Sequence, residues 1–244
     1  MKTYGLIGFP LTHSFSKKYF TDKFQREERT DCIYQNFPLE NIDAVEQLFA
    51  SNPDLMGLNV TIPYKESILA YLDELTDVVR ETGACNCIRI SNGRKIGYNT
   101  DVIGFGSSLD AQLKSSHQKA LVLGTGGAAK AVCYALKLRK ISYLLVSRNP
   151  ENSNEIPYSE VDRDLIQSHT LIINTTPLGM YPNIDACPQI PYEHLTKDHY
   201  LFDLVYNPAQ TLFLQKGLAA GTLVKNGTDM LAIQADASWE IWNS

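Results

Sequence analysis

The sequence predicts an α/β chain in two parts: an N-terminal α/β domain with a mainly parallel sheet, then a second domain built around a strand, a glycine turn and a helix. Three observations predict it. Strand candidates alternate with helical stretches from residue 3 to residue 60, a G-x-G-x-x-A turn breaks the chain at Gly124, Gly126 and Ala129, and the alternation resumes beyond it. The length of 244 residues suffices for two small domains.

Thr3–Gly8 reads as a strand ending in Gly8-Phe9-Pro10, and Leu11 to Ser16 opens a helix that runs to about Arg29, with Ser14 or Ser16 suited to cap it. Ile33–Phe37 is a second strand, Asn41–Ala50 a helix, and Leu55–Val60 a third strand that passes into Thr61-Ile62-Pro63-Tyr64-Lys65. Such alternation implies parallel strands whose C-terminal ends face one crevice, beside which Ser14, Ser16, Thr61 and Lys65 would lie. From Ala84 to Gly97 two short extended runs flank Asn92-Gly93, a strong hairpin signal because both residues tolerate positive φ. Thr100 or Asp101 then caps a helix through about Leu113 that carries the chain into the next domain.

Ala120–Leu123 is a short apolar strand, Gly124-Thr125-Gly126-Gly127 breaks it, and helix follows from Ala128. Gly124, Gly126 and Ala129 occupy the three small positions of a dinucleotide fingerprint: a tight turn, a backbone able to approach a pyrophosphate, and close packing of helix on strand. The helix N-terminus adds free N–H groups and the positive end of a dipole. Ser142–Val146, Leu171–Asn174, Tyr200–Leu204 and Leu223–Lys225 continue as strands, with helices at Thr211–Ala220 and Asp229–Trp242. The predicted division is 1–101, completed by 227–244, and 102–226, with a cleft between the two.

A formal net charge of −5 and a pI near 5.5 leave no basic stripe for nucleic acid. Residues 1–10 lack a signal peptide's apolar region, and no apolar run approaches a membrane span, so the expected setting is the cytoplasm with no membrane partner. Five scattered cysteines fit reduced thiols better than a disulfide framework. Neither Cys85-Asn86-Cys87 nor the five histidines have metal-ligand spacing, so no metal is expected.

Two residues stand out as candidates for chemistry. Lys65 follows a strand end in a polar, proline-stiffened turn, where a lysine can be held as a general acid or base, although an exposed lysine is more often a solvated charge. Asp101 by position alone reads first as a helix cap, and an ion pair with Lys65 would hold the ammonium in place.

Eight ordered motifs then narrow the reading: His13-Ser14-Phe15-Ser16, Asn59-Val60-Thr61-Ile62-Pro63-Tyr64-Lys65, Gly83-Ala84-Cys85-Asn86, Asn99-Thr100-Asp101, Gly124-Thr125-Gly126-Gly127-Ala128, Asn174 to Met180, Asp203 to Pro208, and Asn226-Gly227 with Gln234. In this order and across the whole chain they resemble the shikimate dehydrogenases. The resemblance implies a substrate domain joined to a Rossmann-like NADP-binding domain, and reversible reduction of 3-dehydroshikimate to shikimate on the way to chorismate and the aromatic amino acids. It implies Ser14 and Ser16 on the substrate carboxylate with Tyr206 near it, Thr61, Asn86, Asp101 and Gln234 on the ring hydroxyls, and Lys65 as the catalytic group paired with Asp101. Cofactor contacts are implied for Gly124, Thr125, Gly126, Gly127, Ala128, Ser147, Arg148, Thr175, Thr176 and Gly227. The implied partner is a small-molecule substrate, and the chain would act as a monomer or a homodimer.

The end of the second strand of the nucleotide domain, Val146-Ser147-Arg148-Asn149, carries no acidic residue for a ribose 2′-hydroxyl, whereas Arg148 offers a flat cation for a 2′-phosphate, so the cofactor expected is NADP. Several departures accompany the resemblance. No second basic residue follows in 150–155, where Glu151 and Glu155 are acidic; Cys87 and Val102 stand where the family commonly has Thr and Gly; and the final helix is short, implying looser cover of the substrate domain. Rival readings are a quinate/shikimate dehydrogenase using NAD and a non-catalytic dinucleotide-binding regulator, against which an intact Lys65 and Asp101 weigh.

Overall fold

The computed structural model describes residues 1–12 and 14–244. His13, quoted above with Ser14, lies outside the described residues. The chain divides into two compact units, Met1–Ile103 with Leu231–Ser244, and Gly104–Met230.

The first unit contains β1 (Lys2–Gly8), α1 (Phe15–Arg26), β2 (Cys32–Pro38), α2 (Ala44–Ser51), β3 (Leu55–Val60), β4 (Glu74–Leu75), α3 (Asp77–Thr82), β5 (Cys87–Ser91) and β6 (Arg94–Tyr98). Its sheet runs β2-β1-β3-β5-β6-β4. β1 is parallel to both β2 and β3, while β5 is antiparallel to β3 and β6 through the hairpin at Asn92-Gly93, both of positive φ. Chain order reverses across β1, so the crevice outside the C-terminal ends of β1 and β3 is a topological switch point, the place where open parallel sheets receive ligands.

Both faces of this sheet are covered, which is why β3 is buried along almost its whole length. Ile7, Val45, Leu58, Val60 and Ile68 pack one core. The other is aromatic: Tyr4, Phe20, Phe24 and Tyr34 meet Trp239 and Trp242 of α8 (Thr228–Trp242). Trp242 stacks on Tyr4 at 5.0 Å, donates its indole N–H to the Ile88 carbonyl at 2.9 Å, and lies where any Cβ on Gly57 would overlap it. That anchorage holds the rest of α8 in a fixed rotation against the sheet.

The second unit begins within α4 (Asp101–Asp110), whose first residues belong to the first. It contains β7 (Lys119–Leu123), α5 (Gly127–Leu138), β8 (Ser142–Ser147), β9 (Glu155–Pro157), α6 (Arg163–Ser168), β10 (Leu171–Asn174), β11 (Tyr200–Asp203), α7 (Leu212–Ala219) and β12 (Leu223–Lys225). All six strands are parallel in the order β12-β11-β10-β7-β8-β9. Counted within the unit this is the Rossmann order, with its switch point between β7 and β10.

Two helices end about three residues sooner than the sequence predicts. α1 stops at Arg26 because Glu28 takes a positive φ of 54°, and α4 closes at Asp110 as Gln112 N–H tightens onto the Leu109 carbonyl. β4, α3, β9 and α6 were not anticipated; all are two to six residues long, too short to show a period.

Asp203 ends β11 fully buried, accepting from Thr211 Oγ1 at 2.5 Å, Asn174 Nδ2 at 2.9 Å and Val205 N–H at 3.0 Å. Those donors offset only part of the loss of water, and burial pushes the carboxyl from 3.8 up to about 6. The folded chain therefore holds this proton more tightly than the unfolded chain. Its contribution to stability is greatest below 3.8 and is lost as pH rises through about 6, by roughly 3 kcal/mol. Urea unfolding at a series of pH values should show this decline in the parent protein and not in Asp203→Asn; equal pH slopes for the two would contradict it.

Candidate active site

The turn after β3 is folded over the C-terminal ends of β1 and β3. Thr61 N–H donates to the Ile7 carbonyl and Tyr64 N–H to the Thr61 carbonyl, both at 2.9 Å, and the buried Tyr64 gives its hydroxyl to the Leu39 carbonyl. The next residue, Lys65, is thereby held by the backbone on either side, its own carbonyl taking Cys85 N–H at 2.7 Å. Lys65 Nζ donates to Asp101 Oδ2 at 2.7 Å, and the two side chains are only 19% and 11% exposed. Asp101 is the first residue of α4, and its carboxylate pairs with Lys65 where the sequence left a capping role open. A carboxylate at a helix N-terminus is favoured by the dipole, and removing one partner of so shielded a pair leaves the other charge without compensation.

Around this pair lies a buried polar network. Asn86 Oδ1 accepts Thr100 N–H at 2.6 Å and its Nδ2 donates to Thr100 Oγ1 at 3.0 Å, so the amide sets the backbone one residue before Asp101. Thr100 Oγ1, itself fully buried, reaches Gln234 Oε1 at 3.4 Å and Ser238 Oγ at 3.2 Å on α8. Ser238 accepts from Asn59 Nδ2 at 2.9 Å, and Asn59 Oδ1 accepts the Tyr34 hydroxyl at 2.8 Å. Ser16 hydrogen-bonds that same phenol, whose burial pushes its pKa well above the ordinary range. Asn86, Asp101, Gln234, Ser16 and Lys65 are thus connected by contacts within the first unit. Beneath them Cys85 is a buried thiol whose burial pushes it up to about 12, so it stays protonated and inert.

Ser14 caps α1, accepting Lys17 N–H at 3.2 Å, and still has its hydroxyl proton to donate. The capping and ligand-binding readings of Ser14 are therefore compatible. Tyr206 is carried by the second unit, outside the set the first unit gathers. Cys87 and Val102, the two departures from the family pattern, are both buried core positions.

In the second unit, Gly124 sits at φ +106°, and a Cβ there would lie 2.8 Å from Thr175 Oγ1 and 2.9 Å from Thr176 Cγ2. Only glycine suits that turn. An added Cβ on Gly126 meets nothing within 4 Å, so the space above the second glycine is open, and the N-cap residue of α5, Gly126 itself, has no side chain to cap the first N–H groups. Open backbone and uncapped donors at the switch point are what a pyrophosphate requires, and these residues fit a dinucleotide. Gly227 is needed for packing, since a Cβ would overlap the Leu204 carbonyl.

Three further residues of the predicted cofactor set have hydroxyls bonded within the fold. Thr175 Oγ1 donates to the Leu123 carbonyl at 2.7 Å, Thr176 Oγ1 to Asn174 Oδ1 at 2.6 Å and Ser147 Oγ to the Asn149 carbonyl at 3.1 Å. They shape the loops at the strand ends. Arg148 is exposed just after β8, and Glu155, the acidic neighbour of concern, is tied into the loop by Glu151 N–H at 2.9 Å and Asn152 Nδ2 at 2.6 Å. Those bonds hold its carboxyl below the ordinary range.

Sequence reasoning assigned no role to Tyr34, Asn59, Thr100 or Ser238 as members of the network. For Ser238 a signal existed: it lies four residues after Gln234, on the same face of α8. Among the described residues no group of three acidic, His or Cys side chains is placed to hold a metal, and no helix is long and apolar enough to cross a membrane.

Residues 6–88 match the family model described as the shikimate dehydrogenase substrate binding domain. Among curated relatives, "Shikimate dehydrogenase (NADP(+))" of Methanococcus maripaludis is 36% identical over 258 residues, covering 99% of this chain and 91% of that protein. The crystal structure of shikimate dehydrogenase from Aquifex aeolicus superposes with a TM-score of 0.89 at 31% identity, covering 100% of this chain and 92% of that one. The Thermus thermophilus shikimate 5-dehydrogenase, solved in complex with NADP(H) and shikimate, superposes with a TM-score of 0.87 at 28% identity, covering 99% and 93%. With end-to-end similarity of this kind, a switch-point lysine–aspartate pair in one unit and a dinucleotide turn in the other, the chain belongs to the shikimate dehydrogenase family.

Proposed function

We propose that this chain catalyses the reversible, NADP-dependent reduction of 3-dehydroshikimate to shikimate, in the route to chorismate and the aromatic amino acids, and that it does so in the cytoplasm. The observation that carries the reading is the shielded Lys65–Asp101 pair at 2.7 Å, set among hydrogen-bonding amides and hydroxyls suited to a small hydroxylated acid. Unpaired cysteines throughout the chain accord with a reducing compartment.

The residues divide the work as follows. Gly124 to Ala128, with the N-terminus of α5, hold the pyrophosphate, and Arg148 takes the 2′-phosphate. Bound there, NADPH supplies the hydride. In the first unit Ser14 offers its hydroxyl proton to the substrate carboxylate and Ser16 does so by turning its own away from the Tyr34 phenol, while Thr61, Asn86, Asp101 and Gln234 hold the ring hydroxyls. Lys65 Nζ, kept in place by Asp101, stabilises and protonates the oxygen that gains negative charge at the reduced carbon. In the oxidative direction the same nitrogen withdraws the proton from the hydroxyl.

A regulator that merely senses dinucleotide has no use for a proton donor, so the Lys65–Asp101 pair favours turnover. The test is initial-rate measurement of reduced-nicotinamide formation by its absorbance, with shikimate or quinate against NADP⁺ or NAD⁺. The reading predicts the highest kcat/KM for shikimate with NADP⁺. Absence of shikimate turnover would remove it, and a higher kcat/KM for quinate with NAD⁺ would transfer the chain to that activity.

A further inference from the structure

We infer that Asp203 is a positioning residue for hydride transfer: with Asn174 it joins the two loops on which the nicotinamide half of the cofactor rests. The inference rests on the proposed function above and on the topology of the second unit. In a doubly wound sheet the two halves of a dinucleotide lie on either side of the switch point. The glycine turn after β7 takes the pyrophosphate and Arg148, after β8, the adenosine 2′-phosphate. The nicotinamide half therefore falls to the loops after β10 and β11.

Those loops meet on two side chains with no exposure at all. Asn174 ends β10, Asp203 ends β11, and the two are partners in the parallel ladder. Asn174 serves the first loop: its Oδ1 accepts the N–H and the hydroxyl of Thr176 at 3.0 and 2.6 Å, and its Nδ2 donates to Asp203 Oδ1 at 2.9 Å. The Thr176 hydroxyl in turn accepts Leu178 N–H at 3.3 Å. Asp203 serves the second loop at both ends, taking Val205 N–H on Oδ1 at 3.0 Å and the Thr211 hydroxyl on Oδ2 at 2.5 Å. The loops also meet directly, for Tyr181 N–H donates to the Asn207 carbonyl at 3.1 Å, and a Cβ on Gly179 would lie 3.3 Å from Thr211 Cβ.

Thr176 N–H can only donate, which turns the Asn174 amide with Nδ2 toward Asp203. Three donors from two loops thus converge on one carboxylate, and an ionised carboxylate is the side chain able to accept them all. Its bonds go to Asn174, Val205 and Thr211 and to no residue of the glycine turn. Losing it leaves three buried donors without an acceptor, loosens the loops after β10 and β11, and spares the adenosine end of the site. Misplacing a reacting carbon by about an ångström costs up to about 10²-fold in rate, so the loss should appear chiefly in kcat.

The experiment compares Asp203→Ala with Asp203→Asn, which keeps an oxygen for Asn174 and Val205 and turns its own N–H toward Thr211 Oγ1. It is run well above the carboxyl's pKa of about 6, where the parent side chain is ionised. The readouts are kcat, shikimate Kd, the Kd values of NADP⁺ and of adenosine 2′,5′-bisphosphate, and hydrogen exchange of the cofactor-free chain. Asp203→Ala should lower kcat about ten- to a hundredfold, raise NADP⁺ Kd about threefold or more, and speed exchange across 175–181 and 204–211. Shikimate and bisphosphate Kd should stay within about threefold of the parent, with exchange at 124–128 unchanged. Asp203→Asn should hold kcat within about threefold of the parent. If Asp203→Ala does not fold, Thr211→Val is read in its place, with kcat down about fivefold and bisphosphate Kd unchanged. Parent-like kcat in a folded Asp203→Ala or Thr211→Val protein would overturn the inference. So would equal weakening of NADP⁺ and the bisphosphate, or an Asp203→Asn protein as slow as Asp203→Ala. Parent turnover of shikimate, measured alongside, tests the underlying function separately.

Discussion

Replacing Lys65 by alanine should lower kcat by at least tenfold, and by as much as about 10⁴-fold if the ammonium supplies the full effect of a positioned proton donor, while shikimate Kd changes less. The asymmetry follows from where the charge develops. In the ground state the substrate oxygen is neutral and the ammonium has Asp101 as its partner at 2.7 Å; only as the carbonyl is reduced does an alkoxide form that needs a cation beside it. Because alanine also removes the packing of the stem, Lys65→Met is the companion variant, keeping aliphatic bulk in place while Asp101 loses its partner in both. Both should lose kcat together, as read by steady-state rates with Kd from calorimetry. Parent-like kcat in either would take Lys65 out of the mechanism.

Arg148→Ala should weaken NADP⁺ by about ten- to a hundredfold, in line with a charge-assisted bond to phosphate, while NAD⁺ changes by less than about threefold. Arg148 is exposed just after β8, and the strand end Val146-Ser147-Arg148-Asn149 carries no acidic residue for a ribose 2′-hydroxyl. Glu155 is drawn into its own loop by Glu151 and Asn152, so it does not reproduce the acidic residue of an NAD site. The checking measurement is the KM of each nucleotide at saturating shikimate. Equal losses for both nucleotides would show that Arg148 does not read the phosphate.

The long parallel core was legible in the sequence because its strands are short apolar runs and its turns carry glycine at positions that demand it. Gly124 at φ +106° and Asn92-Gly93 are cases where residue identity and backbone geometry admit one reading. What escaped was of two kinds. β4, α3, β9 and α6 are too short for a repeating pattern to be recognised, although Asp162, which caps α6 by accepting Leu165 N–H at 2.9 Å, was a readable start signal. The polar network escaped because it is assembled from residues far apart in the chain. Thr100 and Ser238 are 138 positions apart, and nothing local to either indicates that they meet.

The candidate site shows the same division. Lys65 and Asp101 are each ambiguous when read alone, one as a solvated charge and the other as a cap, and the structure pairs them across 36 positions. Ser14 shows how a bland and a functional reading can hold together: the oxygen caps a helix and the proton remains available. Thr175, Thr176 and Ser147 lie at the predicted strand ends, and the structure gives their hydroxyls to the loops that shape the nucleotide turn.

A crystal structure of the chain with shikimate and NADP⁺ together probes the account at its centre. Lys65 Nζ should stand within about 2.6 to 3.2 Å of the substrate oxygen on the carbon that exchanges hydride, with the side-chain N–H groups of Asn86 and Gln234 on the ring hydroxyls. A complex in which shikimate is bound with that oxygen turned away from Lys65, and another group is placed to move its proton, would contradict it.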